Sequence, residues 1–354
     1  MVGARPNFIK MAAILGELRR SPRFAPTLIH TGQHYSPEMS ESFFEQLELP
    51  PADVNLNVNG GTATRQTAEI MTLLEPLLTG RRPGLVLVVG DVNSTVAAAL
   101  VAARLGIPIA HVEAGLRSFD RSMPEEINRR VTDALADYLF ASEPGAVANL
   151  RAEGIPEEKI FFTGNVMIDT LLRFRDRAAR SNILEQLGLR SGGYAVATLH
   201  RPANVDDPER LAGLVGVLAR LAGRLPVVFP VHPRTRARLE AAPGVGDALR
   251  LVPPMSYLDF IRLVSQARVV LTDSGGIQEE TTILGVPCLT LRENTERPIT
   301  IEQGTNRLAG VDAEEIHRAA CQALEAPPQA GRVPELWDGQ AAARIREVLE
   351  RTLA

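Results

Sequence analysis

The feature that most constrains this chain is a recurring order. Short apolar, β-branched runs alternate with helical-looking segments. LVLVVG (85–90) leads into TVAAALVAARLG, then comes PIAHVE (108–113), and FFTG (161–164) lies further on. Continuous apolar runs of this kind are strands of a parallel sheet, because helices cover both faces and no side chain needs to face water. A polar, arginine-rich stretch from Asp169 to Arg190, closed by Ser191-Gly192-Gly193, interrupts the order. It then resumes with YAVATLH (194–200), PVVFPVH (226–232), LRLV (249–252), RVVLTDSGG (268–276) and VPCLTL (286–291). With 354 residues and about 150 per domain, two doubly wound, Rossmann-like α/β domains facing across a cleft are expected. The closing segment 339–354 has apolar residues at helical spacing and can pack on either domain.

The start of the chain departs from this plan. A first Rossmann strand brings about five apolar residues to its glycine turn, yet only Met1 and Val2 precede Gly3. The expectation is a natural polypeptide that begins upstream, or else a frayed sheet position beside Gly3.

Composition excludes several classes of function. The 38 Lys+Arg against 42 Asp+Glu leave a net charge of −4, without the basic excess of a nucleic-acid or membrane-surface protein. Any anionic ligand must therefore be held locally. The densest apolar stretch, TVAAALVAA (95–103), falls short of the roughly 18 apolar residues of a membrane span, and MVGARPNFIK lacks the core of a signal peptide. Cys288 and Cys321 form neither a disulfide framework nor a CxxC metal site, which points to a reducing, cytoplasmic setting. Lys10 and Lys159 are the only lysines among the 38 basic residues. Codon bias is the plain explanation, but it singles out Lys10.

Ligands of open α/β sheets bind beyond the carboxyl ends of the strands, and here those positions are polar in both halves. They hold Gly3-Ala4-Arg5, Gly90-Asp91, His111-Val112-Glu113, His200-Arg201, His232-Pro233-Arg234, Asp273-Ser274-Gly275-Gly276 and Arg292. The segment TDSGGIQEETTILG is the most specific. A strand that ends in Asp-Ser-Gly-Gly and opens a helix offers free N–H groups at a positive terminus, a cradle for a diphosphate, with Glu280 in reach of ribose hydroxyls. The plainer reading makes Ser274 an N-cap with Glu279 and Glu280 favourable to the dipole, but a cap alone does not need two glycines. Asp91, Glu113 and Glu125 are the acid–base candidates, and Arg129 lies one turn beyond Glu125 on the same helix face, a spacing that also suits a structural pair. His30, His111, His200 and His232 lack the spacing of metal ligands. GxGxxG, GxxxxGK[ST], HExxH and GxSxG are absent, so nicotinamide, P-loop and hydrolase-elbow chemistry lack their hardware.

Together GARPNFIKMAAI, HTGQHY, GDVNSTVAAAL, HVEAGLRSFDRSMPEEINRR, GNVMIDTL, HRPANV, PVHPR, DSGGIQEET and the ENTERP segment resemble the non-hydrolysing UDP-N-acetylglucosamine 2-epimerases, in order from Val2 to Gly310. The resemblance implies a glycosyltransferase-B-like fold, with residues 1–168 plus a returning helix at 338–354 as the first domain and 169–337 as the UDP-binding one. It also implies a homodimer and interconversion of UDP-GlcNAc and UDP-ManNAc with no cofactor and no metal. Asp91, Glu113, Glu125 and His200 would be catalytic, His200 facing the leaving phosphate. Arg5, Lys10, Arg129 and His232 would contact substrate, Ser274, Gly275, Gly276 and Arg297 the phosphates, Glu280 the ribose, and Met255 and Phe260 the uracil. Tyr35-Ser36 and Pro202 depart from the pattern at segments that border a second, activating nucleotide pocket in some members. An epimerase of a UDP-diacetamido-uronate, a hydrolysing relative, a glycosyltransferase of the same fold and a non-catalytic sugar-nucleotide binder are the rival readings.

Overall fold

A computed structural model describes residues 1–3, 5–32, 44–231, 236, 239, 249–327 and 331–353, with the backbone only at Arg5. The chain divides into two compact units, Met1–Arg173 with Glu335–Ala354, and Phe174–Pro334. The boundary falls within the helix Val166–Ala179.

In the first unit β1 (Ile29–His30) pairs with β2 (Val54–Asn55), and β3 (Val86–Val89), β4 (Ile109–Ala114), β5 (Tyr138–Ala141) and β6 (Ile160–Phe162) form a second set, all parallel. Met1–Gly3 joins the two sets. The Val2 N–H donates to Ile29 and the Val2 carbonyl accepts from Thr31, at 2.9 and 3.0 Å, while the Met1 nitrogen donates to Leu87 on β3 at 2.8 Å. The expected frayed position is thus hydrogen-bonded on both sides. The sheet reads β2, β1, Met1–Gly3, β3, β4, β5, β6, and its order reverses between the terminal segment and β3.

The second unit has one parallel sheet of β7 (Ala195–Thr198), β8 (Val227–Pro230), β9 (Leu249–Val252), β10 (Val269–Thr272), β11 (Cys288–Thr290) and β12 (Asn306–Leu308), ordered β12-β11-β10-β7-β8-β9. Its order reverses between β7 and β10. Alternation along β7 feeds two cores: Ala195 and Ala197 pack with Leu214, Leu218 and Ile316, whereas Tyr194 and Val196 pack with Leu263, Val270 and Ile277. Each large apolar side chain buried in this way stabilises the fold by about 1.5–3 kcal/mol, and the two covered faces explain why the strands read as unbroken apolar runs.

The C-terminal helix Ala341–Thr352 belongs to the first unit. The buried Asp169 carboxylate accepts the N–H groups of Ala341 and Ala342 at 3.1 and 2.7 Å, capping the helix from a distant part of the chain. Among the described residues no helix is long and apolar enough to cross a membrane.

Candidate active site

Each sheet reverses its strand order once, and the crevice beyond the strand ends at such a point is where open α/β sheets take ligands. In the first unit that point is framed by the helix Arg5–Arg20 and the turn after β3. Lys10 on the helix forms a buried ion pair with Glu113 on β4. Glu113 holds φ +70, at a register shift in the β4–β5 pairing between Val112 and Ala114. Left-handed backbone in a non-glycine residue stores strain, and a bulge re-aims a side chain, so β4 spends regularity to point this carboxylate. The turn at Gly90 leaves room for it. Gly90 has φ +69, and a Cβ there would lie 3.2 Å from the Lys10 Nζ and 3.5 Å from the Glu113 Oε2.

The neighbouring Asp91 accepts from the Arg129 Nε at 3.0 Å. Arg129 is 1 % exposed and also donates to Glu126 at 2.6 Å. Arg129 is paired with Glu126 and Asp91, whereas the sequence suggested Glu125 as its partner. Both glutamates are within a turn of Arg129, and the choice is tertiary. Glu126 additionally takes the Ser118 N–H and hydroxyl at 2.8 and 2.9 Å, which draws it inward. Glu125 is half-buried in the first helical turn, with no ion-pair or hydrogen-bond partner among the described residues. His111 braces the Gly90-Asp91 turn from below, its ring spanning Asp133 at 2.6 Å and the Gly90 carbonyl at 2.8 Å. Burial opposes the charge on Asp133, but His111 and Arg117 hold its carboxyl below the usual carboxylate range.

In the second unit the reversal point lies between His200, after β7, and Asp273-Ser274, after β10. Asp273 is fully buried and its carboxylate takes the His200 and Arg201 N–H groups, the Asn204 amide and the His200 Nδ1, the last at 2.7 Å. Burial alone would raise its pKa, yet these partners, His200 foremost, draw it down to about 2. Held through Nδ1, the His200 ring keeps Nε2 outward, and its side chain is 62 % exposed. Ser274 precedes the helix Gly275–Leu284 but makes no side-chain cap bond, which removes the plainer reading of that serine. Arg297 pairs with Glu279 and Glu296 at 2.8 and 2.5 Å, and its guanidinium packs so closely on Gly275 that a Cβ there would overlap it. Glu280 is buried and accepts from the Tyr257 hydroxyl at 3.2 Å. Met255 and Phe260 pack against the core beside Val264 and Ile277. His232 and the Arg5 side chain lie outside the described residues, as do Tyr35 and Ser36.

The structure therefore brings Lys10, Glu113, Asp91 and Arg129 together in one unit, and His200, Ser274, Gly275 and Arg297 beside one reversal point in the other. Glu126, Asp133 and Tyr257, and the role of Asp273 as partner of His200, escaped the sequence reading. Among the described residues no group of His, Cys, Asp or Glu is placed to hold a metal ion.

Two parallel-sheet units, each with ionisable groups gathered at its reversal point, define a Rossmann-like α/β protein of the glycosyltransferase-B type. Comparison with known proteins takes this further. The model of the UDP-N-acetylglucosamine 2-epimerase family matches residues 16–350, and the chain belongs to that family. It is 46% identical over 323 residues to a UDP-N-acetylglucosamine 2-epimerase homolog of Methanococcus maripaludis, covering 89% of both chains. It is 41% identical over 356 residues to the UDP-2,3-diacetamido-2,3-dideoxy-D-glucuronate 2-epimerase of Pseudomonas aeruginosa, covering 99% of this chain and 98% of the relative. The crystal structure of Methanocaldococcus jannaschii UDP-GlcNAc 2-epimerase in complex with UDP-GlcNAc and UDP superposes with a TM-score of 0.92 at 41% identity, covering 99% of this chain and 98% of that one.

Proposed function

We propose that this chain interconverts UDP-N-acetylglucosamine and UDP-N-acetylmannosamine by eliminating and re-adding UDP. The observation that carries the reading is the buried Lys10–Glu113 pair on a strained bulge beside the Asp91–Arg129 pair. The proton on carbon 2 is not acidic in the ground state, because no carbonyl lies beside it. As the bond from carbon 1 to the UDP oxygen breaks, oxocarbenium character makes that proton removable. A carboxylate takes it, the electron pair forms the carbon 1–carbon 2 double bond of 2-acetamidoglucal, and UDP leaves with the other pair. Re-addition with protonation of carbon 2 on the opposite face completes inversion.

The reaction needs acid–base groups toward both faces of carbon 2 and stabilisation of a departing diphosphate. Glu113, Asp91 and Glu125 are assigned the first task, with Lys10 and Arg129 fixing the charge around them. Ser274, Gly275 and Gly276 at the open helix N-terminus are assigned the second, with Arg297 behind them. His200, anchored by Asp273, presents Nε2 to the leaving phosphate. We further assign Glu280 to the ribose, Met255 and Phe260 to the uracil, and Arg5 and His232 to the substrate-binding set. The family resemblance supports a homodimer, which light scattering of the purified protein tests, and the free thiols of Cys288 and Cys321 fit a reducing, cytoplasmic setting.

A second reading, a 2-epimerase of a UDP-diacetamido-uronate, is favoured by the near full-length match to the Pseudomonas aeruginosa relative. Product analysis with each UDP-sugar as sole substrate decides between them. UDP-GlcNAc should give an equilibrium mixture with UDP-ManNAc; turnover of the diacetamido-uronate alone would overturn the first reading.

A further inference from the structure

Downstream of Glu113 on the same segment, Phe119 holds φ +59, a left-handed backbone that a bulky aromatic residue rarely adopts. Its side chain is among the large apolar groups left outside, at 73 % exposure. The backbone on either side is tied down: Ser118 is bonded to Glu126 through both its N–H and its hydroxyl, and Asp120 accepts the Ser122 N–H and hydroxyl at 2.9 and 2.6 Å. Glu126 in turn holds Arg129, and Arg129 holds Asp91. Strain and exposure thus sit on the frame that positions a carboxylate assigned to the reaction. The unliganded chain gains nothing from either, since a left-handed φ is unfavourable and a hydrated aromatic ring forgoes burial.

What binds beside Asp91 and Glu113, on the reading of the chain as a UDP-GlcNAc 2-epimerase, is the hexose. Its C–H face and acetamido methyl are apolar, and its carbon 1 is open to attack by water once UDP has left. We propose that Phe119 closes on the apolar side of the sugar, setting sugar affinity and keeping the glucal intermediate in the site and bulk water out of it. The strained backbone aims the ring, and contact with the sugar supplies the burial that the free chain lacks.

The test compares wild type, Phe119→Gly and Phe119→Tyr, with UDP-GlcNAc as substrate, for KM, kcat, free 2-acetamidoglucal and thermal midpoint. Glycine removes the ring and suits the left-handed φ, so the midpoint should hold or rise. Its KM should rise about ten- to hundredfold, the range for loss of one buried aromatic contact, and more glucal should escape per epimerisation. Tyrosine should restore both quantities to within a few-fold of wild type. An unchanged KM and glucal yield in Phe119→Gly overturns the proposal, and so does a lowered midpoint, which would mean that the ring packs structurally. A weakened dimer with unchanged KM also overturns it by assigning the ring to a partner copy. A wild type that leaves UDP-GlcNAc untouched refutes the function itself and is recognised before any variant is compared.

Discussion

Glu113 combines a left-handed backbone with a buried lysine partner, and a substitution there must be read with both in view. Glu113→Gln keeps the size and still offers an amide oxygen to Lys10, so the chain should fold with some loss of stability from the weakened pair. Turnover should fall by the ~10²–10⁴-fold of a lost acid–base group, while UDP affinity, measured by calorimetry, stays within a few-fold. Wild-type turnover in Glu113→Gln would remove Glu113 from the reaction. In the second unit Arg297→Ala is a poor probe, because it takes a cation out of a buried cluster with Glu279 and Glu296 and so costs stability along with any contact to ligand. Gly275→Ala is cleaner. Its methyl displaces the guanidinium and crowds the helix N-terminus, and it should weaken UDP binding about tenfold, a cost typical of an extra methyl in a packed site. Normal UDP affinity in Gly275→Ala would place the diphosphate elsewhere. At this scale the residue types were legible and their partners were not. Nothing in spacing ties His200 to Asp273 or His111 to Asp133, since each pair is closed by the fold. The choice of Glu126 over Glu125 rests on Ser118, which only the loop before the helix brings near.

Among the elements, the C-terminal helix shows a cap that composition conceals. Its N-terminus is satisfied by Asp169, far back in the chain, and burial pushes that carboxyl up to about 6 against the pull of the Ala342 and Ala341 N–H groups. A folded pKa raised above the usual 3.8 means that the native state binds more protons than the unfolded one between about pH 4 and 6. Stability should therefore fall as pH rises through that window, by about 2–3 kcal/mol at one pKa unit per ~1.4 kcal/mol. Asp169→Asn should flatten the pH dependence of the urea midpoint there. An Asn variant with the same slope as wild type would mean that Asp169 is not the group responsible. Most strands could be read as apolar runs, but Tyr138–Ala141, Val54–Asn55 and Asn306–Leu308 were missed. Val54–Asn55 has only two residues, Tyr138–Ala141 follows the helix Pro124–Leu135 after two residues so that its apolar run merges with the helical one, and Asn306–Leu308 lies at the sheet edge with polar residues among its few positions. Met1–Gly3 reads as too short for a strand, yet bonds on both sides hold it in a central place.

For the whole molecule, the α/β class and the parallel rhythm followed from the apolar runs, whereas the strand orders did not. Those orders arise from how crossovers pack, and they set the two reversal points at which the polar strand ends gather. On the proposed function, carboxylates of the first unit handle the proton on carbon 2 and the helix N-terminus of the second holds the diphosphate. That function stands or falls on whether the hydrogen on carbon 2 leaves as a proton. Epimerisation of UDP-GlcNAc in deuterium oxide, followed by mass and NMR analysis of the UDP-ManNAc formed, tests this directly. One deuterium at carbon 2 of the product is expected; a product that retains the original hydrogen there would contradict elimination and re-addition.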